Sequence, residues 1–424
     1  MIRLENLRSE FQRPKYDIKF TLRESPDEIS VSREIGERMK GTTKPLISMV
    51  IPTRERAETL LFALKTVLNQ SSRNFEVIVS DNFSQDGTRS VVQDFADARL
   101  RYLNTGRRLS MCDNWEFALG HAQGEYVIFI GDDDAVMPGA LDRLEELIRI
   151  SSSPVYCWPL HEYTWPIDGK RAEVMHLAST KPAREVNLEE LAKFVVSTGG
   201  WKHYEIPCMY HSAVARYIPD SIRATTGRVF HSTNPDVFMS LAVPVFAKTA
   251  IDIGFAVTLT GRSAKSNGGV SSAKNGLENH ARCIGEYGDY KIHPTLFPEV
   301  PVAANLIPDS VLVAMEKFPQ FYGGMKFNYS AMWAYMCRMQ PVFKYDLRKW
   351  AIIRRRREIC RYHPFSVSRF LPYLAIQEAA AFRRALLRKT VKRRFDPCPD
   401  NISDFVKELA SLQSTTVQTG RRQT

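Results

Sequence analysis

The stretch GEYVIFIGDDDAVMPGAL, from Gly124 to Leu141, most constrains how this chain can fold. Tyr126 to Ile130 form an unbroken apolar run between glycines, which is typical of a strand buried on both faces. Three carboxylates follow at once, those of Asp132, Asp133 and Asp134, before Pro138 and Gly139 open an amphipathic helix. Open α/β sheets bind ligands at the carboxyl ends of their strands, so these acids are candidate site residues.

Crowded carboxylates repel one another unless a positive charge lies among them. A divalent cation bridging to a diphosphate would supply that charge. The alternative is that one aspartate caps the following helix while the other two are solvated.

Strand and helix patterns alternate through residues 46–150, with polar residues after each strand. The sequence predicts strands at 46–51, 75–80, 100–103 and 126–130, and helices at 57–69 and 110–122. This alternation predicts an α/β fold with a mostly parallel sheet flanked by helices. No GxGxxG follows the first strand and no GxxxxGK[ST] occurs in the chain, which argues against a dinucleotide-binding or P-loop protein.

Three segments in this order, VIPTRER, FEVIVSDNFSQDGT and NWEFALGHAQGEYVIFIGDDD, resemble the family 2 glycosyltransferases of GT-A fold. The resemblance covers residues 46 to about 150. It implies a Rossmann-like GT-A domain that transfers a sugar from a nucleotide-diphospho-sugar, with UDP the expected nucleotide. It also implies an Mn²⁺ or Mg²⁺ cofactor.

The resemblance assigns roles to individual residues in the first half of the domain. Metal ligation falls to Asp134 together with Asp132, the two ends of the D-x-D pattern. Asp86 could equally cap a helix, and Asn114 could equally make a polar contact from the middle of its helix to a neighbouring loop. The implied nucleotide-sugar contacts are Pro52, Thr53, Glu55, Asp81, Asn82, Asp86, Asn114, Asp132 and Asp133.

The segment FHSTNPDVFMSLAV carries the candidate catalytic base, Asp236. Inverting members of the family have a carboxylate here that deprotonates the acceptor hydroxyl, although many have Glu-Asp where this chain has Pro-Asp. An aspartate at a helix amino end is also favoured by the helix dipole alone. His211 and His231 lie near the same segment and could serve as bases. The run from Thr258 to Gly269 resembles the segment that closes the donor site in related sequences, where Arg262 and Lys265 could meet the diphosphate. An ordinary surface loop is the alternative.

The net charge of +11 is concentrated between Lys344 and Arg394, where sixteen Lys or Arg residues face three acids. Basic helices with an apolar face are typical of membrane-surface elements, so peripheral contact with anionic lipid is expected. A solvated helical cap is the alternative. Nucleic-acid binding is not expected, because no recognition motif accompanies the charge.

Seven scattered cysteines indicate neither a disulfide framework nor a zinc site. No signal peptide or membrane span is evident, and the expected location is the cytoplasm, possibly at the inner face of the plasma membrane. We predict four parts: an N-terminal extension (1–44), a catalytic domain (45–275, with a nucleotide-sugar half to 150 and an acceptor half), a helical basic region (276–396) and a flexible tail (397–424).

The predicted function is inverting, metal-dependent transfer of a sugar to a hydroxyl of a glycan or lipid-linked acceptor, in bacterial surface polysaccharide synthesis. A sugar-phosphate nucleotidyltransferase is the alternative enzyme, but it should have a glycine-rich loop after the first strand, where this chain has PTRERAE. A non-catalytic glycan- or membrane-binding module on the same fold is the alternative without chemistry.

Overall fold

The computed structural model describes residues 44–167, 169–266, 285–288, 290–296, 303–339, 367–395 and 397–421. The predicted N-terminal extension lies outside these residues apart from Lys44. The basic run at 354–357 also lies outside them.

Twelve strands are present in the described chain, and those predicted from the alternating pattern are confirmed. They are β1 (Ile47–Thr53), β2 (Phe75–Asp81), β3 (Leu100–Asn104), β4 (Tyr126–Phe129), β5 (Ala135–Val136), β6 (Val155–Cys157), β7 (His161–Thr164), β8 (Glu173–His176), β9 (Arg184–Asn187), β10 (Ser212–Ala215), β11 (Thr249–Asp252) and β12 (Thr258–Arg262).

Helices separate the strands and then dominate the C-terminal part of the described chain. They are α1 (Ala57–Leu68), α2 (Thr88–Gln93), α3 (Met111–His121), α4 (Ala140–Ser151), α5 (Leu188–Ser197), α6 (Tyr217–Thr226), α7 (Pro235–Phe246), α8 (Ala303–Lys317), α9 (Pro319–Tyr322), α10 (Tyr329–Met339), α11 (Val367–Arg394) and α12 (Ile402–Arg421). A short 3₁₀ helix spans His203–Glu205.

The main sheet has eight strands in the order β3-β2-β1-β4-β10-β6-β11-β9. Strands β3, β2, β1 and β4 are parallel, and β10 enters antiparallel beside β4. A smaller sheet, β5-β12-β7-β8, lies at the end of β4. This topology confirms the predicted α/β fold with a mostly parallel sheet and a helical C-terminal region.

Alternation along β1 explains why helices cover both faces of the sheet. Met49 and Ile51 join the core that contains Leu60 of α1, whereas Val50 joins the opposite core with Trp115 of α3. All three β1 side chains are fully buried. Successive strand residues point to opposite faces, so a strand that is apolar throughout needs a packed layer on each side. Both layers hold the strand ends in place.

Residues 402–421, which lie within the segment predicted as a flexible tail, form α12. Ile402, Phe405 and Leu409 of α12 are buried, and the helix packs against α1. Phe405 also stacks on Tyr163, with ring centroids 5.2 Å apart. The segment is rich in Ser, Thr and Gln, and its apolar residues follow helical spacing over only two turns. This short apolar face was therefore not recognised from the sequence.

The remaining C-terminal helices extend the α/β core. Helix α8 packs against α7, and α10 packs against α11. Across the described ranges, no helix has both the length and the apolar character that crossing a bilayer requires. The predicted helical C-terminal region is confirmed where the chain is described.

Candidate functional site

The aspartate triplet lies where β4 ends, beside the ends of β1 and β2. Strand β1 pairs in parallel with both neighbours, so the polar residues that follow these strands meet at one edge of the sheet. The hydroxyl of Thr53, the last residue of β1, donates to Asp132 Oδ2 at 2.6 Å. Asp132 and Asp134 are fully buried and Asp133 nearly so. The predicted grouping of Thr53 with the triplet is therefore present.

A guanidinium lies against the triplet. The Nη1 atom of Arg56 is 2.7 Å from Asp132 Oδ1 and 3.8 Å from Asp133 Oδ1. Burial raises the pKa of Asp132, and the Arg56 charge and the Thr53 hydroxyl oppose that rise. Sequence reasoning did not single out Arg56. The available signal was a cation in the turn after β1, opposite a predicted cluster of acids.

Asp134 is held on both of its oxygens. Its Oδ1 accepts from the Gly261 amide at 2.7 Å, and its Oδ2 accepts from the Gly131 amide at 2.5 Å and from the Tyr210 hydroxyl at 2.9 Å. The Nε2 atom of His211 is a further 3.2 Å from Oδ2. Burial alone would raise the pKa of Asp134, but His211 and the amide donors outweigh it and lower the pKa. These contacts fix Asp134 in the fold.

Asp133 faces the smaller sheet. Its Oδ2 accepts from the Ser263 amide at 3.0 Å and from the Ser263 hydroxyl at 2.7 Å. Its backbone oxygen accepts from the indole N–H of Trp165 at 2.9 Å. Burial raises the pKa of Asp133 to about 7. The charge of Arg56 opposes this rise, whereas repulsion from Asp134 and Asp132 adds to it. This carboxyl therefore titrates near neutral pH.

Gly261 permits this arrangement by leaving out a side chain. A Cβ atom there would lie 1.8 Å from the backbone oxygen of Asp133, far inside van der Waals contact. Strand β12 can thus pass directly over the triplet and donate its amide to Asp134.

The oxygens of the predicted metal pair do not fit a divalent cation in this arrangement. Carboxylate oxygen is the right ligand type for Mg²⁺ or Mn²⁺. However, Asp134 accepts from three protein donors with His211 also beside it, and Asp132 is occupied by Thr53 and Arg56. Within the described ranges no three His, Cys, Asp or Glu side chains form a metal-binding group.

Asp81, at the end of β2, is also engaged by neighbouring residues. The Tyr102 hydroxyl and the Asn104 amide donate to its Oδ2 at 2.5 Å and 3.1 Å, and the Ser84 amide donates to Oδ1 at 2.9 Å. The next residue, Asn82, exchanges two 2.8 Å hydrogen bonds with the Leu109 backbone. Both predicted contacts therefore have well-defined positions beside β1.

Glu55 and Asp86 connect the turn after β1 to the loop after β2. Glu55 adopts a positive φ of 57°, and its carboxylate accepts from the Gln85 amide at 3.0 Å. The carboxylate of Asp86 accepts from the Ala57 amide at the start of α1 and from the Thr88 amide at the start of α2, each at 3.0 Å. The geometry of Asp86 is that of the helix-capping alternative.

A cavity opens beside these loops, between β1, α3 and the loop before α7. The side-chain amide of Asn114 on its wall accepts from the Ser80 hydroxyl at 2.7 Å. Among the predicted nucleotide-sugar contacts, Pro52, Thr53, Asn82 and Asn114 line it, whereas Glu55, Asp81, Asp86 and the triplet are not among its lining residues. The remaining lining residues are Arg54, Arg56, Met111, Trp115, Thr233, Asn234, Glu286, Tyr287 and Leu306.

Asp236 lies in the first turn of α7, directly after Pro235 and beside the part of the loop that lines the cavity. Burial raises its pKa, and the nearby His203 is the largest opposing influence. Burial correspondingly lowers the pKa of His203, which Asp236 opposes. Burial raises the pKa of Tyr210, whose hydroxyl donates to Asp134, and the charges of Asp134, Asp133 and Asp236 add to that rise. The helix start predicted at Pro235 is confirmed.

The other predicted cations and bases do not contact the triplet in the hydrogen bonds described. Lys265 donates to the backbone oxygen of Glu55 at 2.7 Å, while Arg262 is exposed at the end of β12. His231 lies 3.0 Å from the Thr226 hydroxyl, and its pKa is lowered to about 4 by burial. Tyr210, Gly261 and Ser263, which bind the triplet, were not predicted as site residues.

Comparison with known proteins agrees with this geometry. Residues 48–191, which contain β1 to β4 and the triplet, match the family described as Glycosyl transferase family 2. The chain therefore contains a glycosyl transferase family 2 domain over these residues. The match extends past the triplet into α5, so the resemblance noted in the sequence is confirmed over a longer range.

Two relatives illustrate the match. One is the GalNAc(5)-diNAcBac-PP-undecaprenol beta-1,3-glucosyltransferase of Campylobacter jejuni, 40% identical over 24% of this chain and 33% of its own length. Another is the UDP-Glc:alpha-D-GlcNAc-diphosphoundecaprenol beta-1,3-glucosyltransferase WfgD of Escherichia coli, 29% identical over 26% of this chain and 44% of its own length. The transferase therefore matches less than half the length of either relative.

Among solved structures, residues 1–349 of TarS from S. aureus, in complex with UDP-GlcNAc, are similar at a TM-score of 0.44 and 15% identity. That similarity covers 70% of this chain and 77% of the TarS chain.

Proposed function

We propose that this family 2 transferase moves a sugar, with inversion, from a UDP-sugar to a hydroxyl of a lipid-linked glycan in bacterial surface polysaccharide synthesis. The observation that carries the proposal is the cavity at the ends of β1 and β2, where four of the predicted nucleotide-sugar contacts meet. It lies at the carboxyl edge of a parallel sheet, where α/β folds bind nucleotides. The part of its lining that runs from Pro52 to Trp115 lies within the residues that match the family.

Asp236 is the proposed general base. It would take the proton of the acceptor hydroxyl as that oxygen attacks the anomeric carbon and the bond to the diphosphate breaks. A carboxylate whose pKa is raised by burial is a stronger base, so the desolvation at the start of α7 favours this role. Single displacement with a separate base inverts the anomeric centre.

Positive charge on the cavity wall would offset the charge that builds on the departing diphosphate. Arg54 and Arg56 both line the cavity. Fixed charges aimed at a developing anion stabilise the transition state without reorganising. The predicted Mn²⁺ or Mg²⁺ would serve the same purpose when bound. Because Asp132 and Asp134 do not fit it in this arrangement, no step is assigned to a metal.

The proposed acceptor class has two supports. The names of both relatives place their acceptors on undecaprenyl diphosphate. Helix α11 also exposes Leu371, Phe382 and Leu386, which are 56%, 68% and 51% accessible. Their spacing of eleven and four residues places them on one side of the helix. Such a face beside basic residues suits an anionic membrane, where a lipid-linked acceptor would reside.

The test is nucleotide binding followed by transfer. Calorimetric titration of UDP, GDP and dTDP into the full chain should show UDP binding, and UDP-sugars should then be screened with an undecaprenyl-diphosphate-linked acceptor. The anomeric configuration of the product, read by NMR, should be opposite to that of the donor. Retained configuration would refute Asp236 as the base of a single displacement, and a nucleotide-sugar formed from sugar phosphate and UTP would favour the nucleotidyltransferase.

A further inference from the structure

One ion pair lies inside the proposed donor cavity. The Nη1 atom of Arg54 donates to both carboxylate oxygens of Glu286, at 3.0 Å and 2.8 Å. Both side chains line the cavity and both are partly shielded, with 26% and 21% of their surfaces exposed. The Nε atom of Arg108 lies a further 3.6 Å from Glu286. The Glu286 carboxylate thus occupies a site formed by two arginines.

Neighbouring aromatic residues hold Glu286 in this position. The hydroxyl of Tyr287 donates to the backbone oxygen of Thr233 at 3.1 Å, in the loop before α7. The hydroxyl of Tyr290 donates to Asp309 of α8 at 2.5 Å. The short segment around Glu286 therefore connects the base side of the cavity to the turn after β1.

Both arginines on the described cavity wall are already paired with carboxylates when no donor is bound. The described part of its wall carries two cationic side chains, Arg54 and Arg56. Arg56 is paired with Asp132 and lies near Asp133, whereas Arg54 is paired with Glu286. A diphosphate entering beside Glu286 would meet a like charge at close range. Arg54 can turn its Nη1 group to the diphosphate only if the glutamate leaves.

We propose that Arg54, with Arg108 beside it, is a diphosphate-binding site, and that Glu286 occupies it as an internal substitute for the ligand. The Glu286 carboxylate stands in for the phosphate oxygens, since both are anionic acceptors that match a guanidinium. The diphosphate comes from the nucleotide-sugar donor or from a lipid-linked acceptor. This inference rests on the proposed function, because it assigns the ligand class within the same cavity.

The experiment is a double-mutant cycle read by calorimetric binding to the full chain. Glu286→Gln removes the competing charge and should tighten UDP binding about fivefold, the upper range for a partly exposed ion pair. Arg54→Gln should weaken UDP binding by a similar factor, and Glu286→Gln should then bring no gain in the Arg54→Gln background. The matched control is Glu316→Gln, which removes a carboxylate 2.9 Å from His293 outside the cavity.

Two further ligands separate the sources of the diphosphate. Uridine lacks phosphate, so its affinity should stay unchanged in every variant. A gain confined to UDP assigns the site to the donor, and a gain confined to geranyl diphosphate assigns it to a prenyl diphosphate acceptor. If Glu286→Gln improves neither ligand, the inference is overturned although the transferase proposal stands. If the wild-type chain binds no UDP, GDP, dTDP or uridine, the proposed function itself fails.

Discussion

Arg56 places its guanidinium 2.7 Å from the carboxylate of Asp132, and the aspartate side chain is wholly buried. The arginine comes from the turn after β1 and the aspartate from the end of β4, so the pair joins two parallel neighbours at their carboxyl ends. The cation that sequence reasoning sought for the triplet is thus supplied in part by the chain itself.

Arg56→Ala should destabilise the fold by about 3 kcal/mol, because removing one partner leaves a buried carboxylate without its counter-charge. Urea unfolding at neutral pH measures this difference. Lys193→Ala is the matched control, since Lys193 pairs with Glu189 on the exposed side of α5 and should cost less than about 1 kcal/mol. If both variants lose the same free energy of unfolding, the buried Arg56–Asp132 pair stabilises the fold no more than the control pair does.

Asp133→Asn should change how stability depends on pH. The pKa of Asp133 is raised to about 7, so the folded state binds a proton more tightly than the unfolded state. The stability contributed by the neutral carboxyl is fully present below the unfolded pKa of about 4 and is lost as pH rises to 7, by at most ~1.4 kcal/mol per unit. Relative to wild type, the Asn variant should therefore gain stability between pH 5 and 8. Urea unfolding curves that shift in parallel across this range would contradict the prediction.

Local patterns were sufficient to predict the first half of the fold. The apolar run before Asp132 and the helical spacing of Leu60 and Leu64 are properties of neighbouring residues, so β1 to β4 and α1 could be predicted. The surroundings of the triplet could not, because Tyr210 and Ser263 reach it from 76 and 130 residues away. The spacing of apolar residues within one segment carries no information about contacts between segments so far apart in the chain.

The sequence pattern suggested that Asp134 binds a metal, because a local pattern does not show the contacts that distant segments make with it. The D-x-D resemblance identifies a carboxylate but carries no information about which hydrogen-bond donors surround it. The amide of Gly261 and the hydroxyl of Tyr210 become visible only when β12 and the residues before β10 are folded against β4. A buried carboxylate with several protein donors has a structural role whatever else binds nearby.

Asp134→Asn should lower stability by about 2–4 kcal/mol, equally in EDTA and in millimolar Mn²⁺. The carboxylate, whose pKa is lowered, contributes stability that is present above the unfolded pKa of about 4. Neutral Asn would also remove the carboxylate that lies 3.2 Å from the buried Nε2 atom of His211. Thermal unfolding of wild type and variant with either additive measures the effect. A loss that appears only when Mn²⁺ is present would instead identify Asp134 as a metal ligand.

Asp236→Asn should reduce transfer by about 10²- to 10⁴-fold, the usual contribution of a general base, with UDP affinity unchanged within about twofold. The amide keeps the size of the side chain but cannot take the acceptor proton. Turnover and UDP calorimetry on the same preparation measure the two quantities. Asp220→Asn on α6 is the control. Asp220 is exposed, and its ion pair with Arg223 is long at 3.5 Å. If UDP affinity falls with turnover, Asp236 acts in binding and not as the base.

The exposed face of α11 gives the last prediction, binding to anionic membranes. Wild-type protein should sediment with vesicles that contain phosphatidylglycerol and much less with phosphatidylcholine alone, and added salt should weaken the interaction. Replacing both Phe382 and Leu386 with Ser should lower vesicle affinity at least about tenfold, because each buried apolar side chain contributes ~1.5–3 kcal/mol. Ile150→Ser removes an equally exposed apolar side chain, 77% accessible, at the end of α4 and should leave binding unchanged. If the double variant binds like wild type, the apolar face of α11 does not contact lipid, and basic charge alone must account for any attraction.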